Sequence, residues 1–262
     1  MKKGIIIAHN NGLGDLIVMN GCVRYLASQY DVAYLLCFDS RMKHYEFMYR
    51  DSPNIILFNS PHPQNSRQAR MRQDSESRAI QEQHPDIDWS AGLRRTYWTK
   101  AKEWVRYAKR LKPSTKENIW PELFYAIMKV PHEERYKSYH VLRDNIAEQT
   151  LQSKVKPPEK YAFVIDKTRM FEYELEIKSG LPVINPFSFD FWPNTLIFDW
   201  IKIIENATEI HTVDTSWFHL IRMLQLKIPK FYYEVRNLIM IGDGYLNDSF
   251  DSGWTRIVAK GN

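Results

Sequence analysis

The chain of 262 residues holds only two cysteines and ten glycines, and none of its apolar runs approaches the roughly 20 residues that cross a membrane. Cys22 and Cys37 stand in no CxxC or ligand spacing, which excludes a disulfide framework and a thiolate metal site. Both are expected as reduced thiols, one in a helix and one in a strand. No Gly-x-x-x-x-Gly-Lys-Ser/Thr stretch exists, which argues against a P-loop kinase. The turn Gly12-Leu13-Gly14-Asp15-Leu16-Ile17 has isoleucine where a dinucleotide fingerprint needs its third glycine. His62, His84, His132 and His140 are scattered, and Asp86-Ile87-Asp88 lies in a polar stretch beside Pro85 with no strand expected before it. No metal and no cofactor is therefore expected. Met1-Lys2-Lys3 followed by about five apolar residues is too short for a secretory signal, so a cytoplasmic location is expected.

What is present suffices for a folded core: 44% of residues are hydrophobic and 14% aromatic. Strands and helices alternate at both ends. The first part reads as strand Gly4–His9, helix Asp15–Gln29, strand Val32–Phe38, helix Arg41–Arg50 and strand Asn54–Asn59. Apolar runs without period-2 polarity suit parallel strands buried on both faces, joined by right-handed crossovers. Residues 60–88 turn polar, with Pro61, Pro63 and Pro85, and read as a long loop or insert. Helices are expected at about Ser90–Leu111 and at Trp120–Lys129, followed by a helix-prone stretch, Glu133–Lys154, that runs up to Pro157-Pro158. Beyond that point the alternation restarts: strands at Tyr161–Asp166, Pro182–Asn185, Glu209–Val213 and Lys230–Glu234, helices at Leu196–Asn206 and Trp217–Gln225. The fold class expected is α/β, two Rossmann-like domains with parallel sheets facing a cleft. Their spans are residues 1–155, with the polar insert 60–88, and residues 156–262.

The net charge of +5 is local in origin. Between Gly92 and Pro113 stand Arg94, Arg95, Lys100, Lys102, Arg106, Lys109, Arg110 and Lys112 against the single Glu103. With Tyr97, Trp98, Trp104 and Tyr107 interleaved, residues 92–112 have three readings, in this order of expectation. The first is a packed helix whose long cations snorkel, the second a peripheral contact with an anionic membrane, and the third a nucleic-acid surface.

Two turns can carry chemistry. The first, His9-Asn10-Asn11-Gly12-Leu13-Gly14-Asp15, joins a buried strand to a helix, where an open α/β sheet binds its ligands. Its glycines permit close approach, and the Asp15 carboxylate is favoured by the helix dipole. Asp15 reads equally well as a plain helix cap. The second turn, Asp214-Thr215-Ser216-Trp217-Phe218-His219-Leu220, sits between a strand and a helix, where hydroxyls and free N–H groups suit an anion. Read alone, it is as well explained by ordinary capping.

Taken together, Gly14-Asp15 and Asp214-Thr215-Ser216-Trp217-Phe218-His219-Leu220 resemble the two signature turns of the family 9 glycosyltransferases, the heptosyltransferase-like group of the GT-B fold. The resemblance implies an inverting, metal-independent transfer of a sugar from a nucleoside-diphosphate sugar to a glycan or lipid-linked acceptor hydroxyl. It implies Asp15 as catalytic base, with His9, Asn10, Asn11, Gly12 and Gly14 forming the acceptor or phosphate loop. Asp214, Thr215, Ser216 and His219 would bind the donor, helped by Lys167, Thr168 and Arg169 after the first strand of the second domain. Ser216 stands where the family has glycine. The rival reading is a catalytically silent module of the same fold that binds a glycan or nucleotide; a nucleic-acid-binding protein is the third.

Overall fold

The computed structural model describes residues 1–8, 12–60, 66–89, 93–95, 119–168, 171–235 and 251–258. These fall into two compact units, one ending at Leu142 and the next beginning at Arg143.

The first unit is built on a parallel sheet in the order β3-β2-β1-β4, with β5 also paired to β1. Here β1 is Lys2–Ala8, β2 Val32–Phe38, β3 Ile55–Ser60, β4 Ile87–Asp88 and β5 Leu93–Arg95. The register runs Gly4 to Val32 through Ala8 to Leu36, and Ala33 to Ile55 through Phe38 to Ser60. Ile5, Ile6 and Ile7 are all fully buried, so both faces of β1 are covered, as a run without alternating polarity demands. Helices α1 (Leu13–Ala27) and α2 (Met42–Tyr49) are the expected crossovers.

Residues 60–88 correct the sequence reading. Ser66–Gln83 forms an 18-residue helix, α3, in place of a loop. Its buried positions Gln73, Ser77 and Ile80 recur at helical spacing, but two of the three are polar, which hides the stripe from a hydrophobicity count. Ile80 closes one face of the sheet over Ile6, Ala8, Tyr34, Leu36 and Ile87. Ile87-Asp88, read as loop, pairs with Lys2 and Lys3 as β4. Leu93, Arg94 and Arg95, expected in a basic helix, instead pair as β5 with Ile6, Ile7 and Ala8; the rest of that expected helix lies outside the described residues. A hydrogen-bonding edge left open along β1 outweighs helix propensity in so short a segment. Two further helices complete the unit, α4 (Ile119–Met128) and α5 (Glu134–Lys137).

The second unit opens with helix α6 (Asn145–Val155). Asp144 caps it by accepting the Ala147 N–H at 2.9 Å, and Lys156 ends it in the left-handed conformation (φ 50°), just ahead of Pro157-Pro158. Its sheet is parallel in the order β10-β9-β8-β6-β7, with β6 Ala162–Ile165, β7 Val183–Ile184, β8 Glu209–Val213, β9 Lys230–Glu234 and β10 Trp254–Val258. The helix expected at Leu196–Asn206 divides into a 3-10 turn, Ile197–Trp200, and α7, Ile201–Glu205. Helix α8 (Ser216–Met223) follows β8. β10 was not expected. It is anchored by a buried cluster in which Lys230 Nζ pairs with Asp251 and donates to Leu226 O at 2.7 Å, while Trp254 Nε1 donates to Asp251 Oδ2 at 2.6 Å.

Candidate functional site

In the first unit the C-terminal end of β1 leads to α1, whose N-cap is Gly12. Glycine has no side chain with which to cap, so the helix is capped from the other side. Asp15, in its first turn, accepts the Gly12 N–H on Oδ2 at 3.0 Å. The carboxylate is half-buried. Gly12 has φ −67°, and among the described residues a Cβ built there meets nothing nearer than Asp15 Oδ2 at 3.7 Å. Its value is therefore the open approach it leaves to the carboxylate, not an unusual backbone angle. Gly14 lies inside the first turn of α1; His9, Asn10 and Asn11 lie outside the described residues.

The same sheet edge holds a second carboxylate that sequence reasoning missed. Ser60, at the end of β3, donates its hydroxyl to both oxygens of Glu76 on α3, at 2.8 and 2.9 Å. Burial raises the Glu76 carboxyl above its ordinary value, against the lowering effects of the Ser60 hydrogen bond and the Arg72 charge. Reading 60–88 as a loop concealed it.

In the second unit β8 ends at Val213, Asp214 and Thr215 turn, and α8 begins at Ser216. Thr215 is the N-cap with extended backbone, yet its hydroxyl is directed to Val213 O at 3.4 Å and does not cap the helix. The positive end of the α8 dipole is directed at the turn, a setting that favours an anion. His219 Nε2 stands 3.9 Å from Asp214 Oδ1, on the buried side of the same turn. Among the described residues, positive φ outside glycine occurs only at Lys129, Lys156 and Gln225. Ser216 thus has ordinary backbone and needs none of glycine's freedom. Its hydroxyl adds a donor to the turn.

Lys167 and Thr168 follow β6, which pairs directly with β8 (Ile165 to Thr212), so the structure brings their loop and the Asp214 turn to one edge of one sheet. Lys167 is exposed and pairs with Glu172 at 3.3 Å; Thr168 closes a tight turn with Phe171. Arg169 lies outside the described residues. Sequence reasoning passed over Asp166 and Asn185 on that edge. Asn185 Nδ2 donates to both Asp166 oxygens at 2.9 Å and ties the ends of β6 and β7 together. The signal was there in the strand-final position of Asp166. Below the turn, Trp217 packs on Trp192 with ring centres 5.1 Å apart and on Phe163 at 5.7 Å, giving the loop a rigid floor. Among the described residues no group of three His, Cys, Asp or Glu is placed to hold a metal ion, and no helix is long and apolar enough to cross a membrane.

The fold of two α/β units, each on a parallel sheet, has counterparts among solved structures. A family 9 glycosyltransferase from Veillonella parvula aligns over 97% of this chain and 85% of its own, with TM-score 0.53 and 10% identity. The Escherichia coli ADP-heptose LPS heptosyltransferase II aligns over 97% and 90%, with TM-score 0.52 and 10% identity. The chain has the fold of these glycosyltransferases. The resemblance read from the two turns is thereby borne out for the fold, GT-B-like and α/β. No family model matches the sequence, and no curated protein matches it.

Proposed function

We propose that the protein is a glycosyltransferase that moves a sugar from a nucleoside-diphosphate sugar to an acceptor hydroxyl, inverting the anomeric centre without a metal. The observation that carries this reading is the α8 turn, a helix N-terminus without a side-chain cap at a sheet edge, within a fold shared with glycosyltransferases. In this reading the second unit, which begins at Arg143, holds the donor. The first-turn N–H groups of α8, with the Thr215 and Ser216 hydroxyls, stabilise the diphosphate as it leaves. Asp214 and His219 fix the shape of the turn, and Lys167, Thr168 and Arg169 add polar contacts from the neighbouring strand end.

The first unit, which ends at Leu142, holds the acceptor. Asp15 takes the proton of the acceptor hydroxyl as its oxygen bonds to the anomeric carbon. The bond from that carbon to the diphosphate oxygen breaks on the opposite face, so one displacement inverts the centre. His9, Asn10, Asn11, Gly12 and Gly14 frame the approach. The acceptor is a glycan or lipid-linked hydroxyl, and the basic run 92–112 suits an anionic acceptor or a membrane surface that carries one.

A thermal-shift screen with ADP, UDP, GDP, CMP and TDP, followed by incubation with the matching sugar nucleotides, tests the reading. ADP-heptose is the first donor to try, since it is named for one of the similar structures. A nucleotide at 100 times its Kd stabilises by about 2.7 kcal/mol. Stabilisation accompanied by sugar transfer with inversion, unchanged by a chelator, supports the proposal. Saturable nucleotide binding with no transfer or donor hydrolysis overturns it in favour of a silent binding module.

A further inference from the structure

The segment that follows β7 carries more aromatic surface than the proposed chemistry uses. In Pro186-Phe187-Ser188-Phe189-Asp190-Phe191-Trp192 four of seven residues are aromatic. The core of the second unit already has its rings: Phe163, Trp200 and Trp217 are buried. Phe187, Phe189, Phe191 and Trp192 are only half-buried, and Ser188 and Asp190 between them are open to water.

These rings sit at the donor edge of the sheet. The order β8-β6-β7 sets the carboxyl end of β7 two strands, about 10 Å, from that of β8. One ring spans the interval. Trp217, the second residue of α8, has its ring centre 5.1 Å from Trp192 and 6.4 Å from Phe187. Phe187 stands at 88° to both indoles and 5.3 Å from Trp192, the edge-to-face arrangement that aromatic quadrupoles favour. Phe189 extends the row, 5.9 Å from Trp200 and 5.1 Å from Phe191. The row therefore begins in the first turn of α8 and continues into the segment after β7. Its backbone is fixed. Asn185 Oδ1 accepts the Phe187 N–H at 3.0 Å, while its Nδ2 holds Asp166 at the end of β6. Pro186–Ser188 and Trp192–Asn194 are each a 3-10 turn with a proline in its first positions, which narrows the unfolded alternatives. A surface held in place beforehand loses little entropy when a ligand arrives.

We propose that Phe187 and Trp192 form the platform on which the nucleobase of the donor stacks. The inference rests on the donor reading of the α8 turn. In that reaction the sugar leaves and the nucleotide stays, so the second unit has a flat base to hold as well as an anion. Stacking needs a π-face and no particular pattern of hydrogen bonds. It fixes that the ligand carries a base and leaves the choice of base to other groups. A sugar ring suits the surface less well, because its hydroxyls need partners and the side chains of the segment offer them only at Ser188 and Asp190.

Calorimetric titration of the five nucleotides of the screen above, and of inorganic pyrophosphate, into the wild type, Phe187→Ala and Phe187→Tyr tests the platform. The nucleotide that the wild type binds tightest is expected to bind Phe187→Ala roughly ten-fold more weakly, within the range that one base–aromatic stack contributes. Pyrophosphate, which has no base, should bind both proteins alike, and Phe187→Tyr, which keeps a ring, should match the wild type. Melting temperatures report that the variants fold, and Phe187→Leu, which keeps most of the bulk without the ring, replaces Phe187→Ala where that variant does not. Equal nucleotide affinity in wild type and Phe187→Ala overturns the platform and leaves the donor reading standing. An equal loss for nucleotide and pyrophosphate also overturns it, since the ring would then only shape the turn. A wild type that binds none of these ligands overturns the donor reading itself and the platform with it.

Discussion

The hydroxyl of Tyr125 stands inside the backbone ladder of α1: it accepts the Cys22 N–H at 3.0 Å and donates to the Val18 carbonyl at 2.9 Å. These two backbone groups are the pair that an uninterrupted helix bonds directly, so a side chain from α4 enters a rung of the helix that carries Asp15 in its first turn. Tyr125→Phe removes both contacts in a fully buried place. A loss of about 1–3 kcal/mol is expected in urea unfolding, the cost of leaving buried polar groups unserved. A loss below a few tenths of a kcal/mol would mean that the ladder closes on itself when the hydroxyl goes.

Asp15→Asn keeps the size of the side chain and its ability to accept the Gly12 N–H but removes the base. Under the proposed mechanism, transfer falls by roughly 10²–10⁴-fold. Nucleotide stabilisation in a thermal-shift assay stays at the wild-type level, because the donor is assigned to the other unit. Turnover equal to wild type would remove Asp15 from the mechanism.

Gly21 faces the carbonyls of α5. A Cβ there would lie 2.3 Å from Glu134 O and 3.0 Å from Arg135 O, both backbone atoms that cannot swing aside. Gly21→Ala is expected to cost about 1–3 kcal/mol in stability despite alanine's better helix propensity. Denaturant midpoints of the two proteins give the sign directly.

Asp51 links acid sensitivity to the first unit. Burial raises its carboxyl, but the Arg24 guanidinium, with Nη2 2.7 Å from Oδ1, outweighs burial and holds it below the usual 3.8. A depressed folded value contributes stability above the ordinary value, and that contribution is lost as pH falls through the folded one. Asp51→Asn should therefore destabilise by about 1–2 kcal/mol at pH 7 and by progressively less below pH ~4. Melting curves of both proteins between pH 2 and 7 check this, and parallel curves would contradict it.

Cys22 and Cys37 are free and buried, and burial pushes both thiols far above the ordinary range. Iodoacetamide should leave the native protein unmodified at pH 8 over hours and label both sites in 8 M urea, since the thiolate is the reacting species. Mass spectrometry counts the adducts.

The order β1, α1, β2, α2, β3 was legible because each element buries an unbroken apolar run or a clear stripe, as Ile5-Ile6-Ile7 and Leu35-Leu36-Cys37 do. The turns at Asp15 and Asp214 were legible for a related reason: short polar punctuation between such runs fixes where a strand ends and a helix starts. Helix α3 was not, because Gln73 and Ser77 occupy positions where a stripe would show apolar residues. The two-residue strand at Ile87 and the three-residue one at Leu93 exist only through their partner β1, and no local pattern announces a strand so short. The contact of His211 with Tyr233 was illegible for the same reason, since it arises only through strand pairing across 22 positions.

Gly21 and Asp15 stand six positions apart on α1, about 9 Å along the axis at 1.5 Å per residue. The helix is thus a rod pressed at its middle by α5 and bearing its acid at the tip. A small tilt forced at the contact moves the tip in proportion, so substitutions far from any reacting atom can retune where that acid stands without touching it.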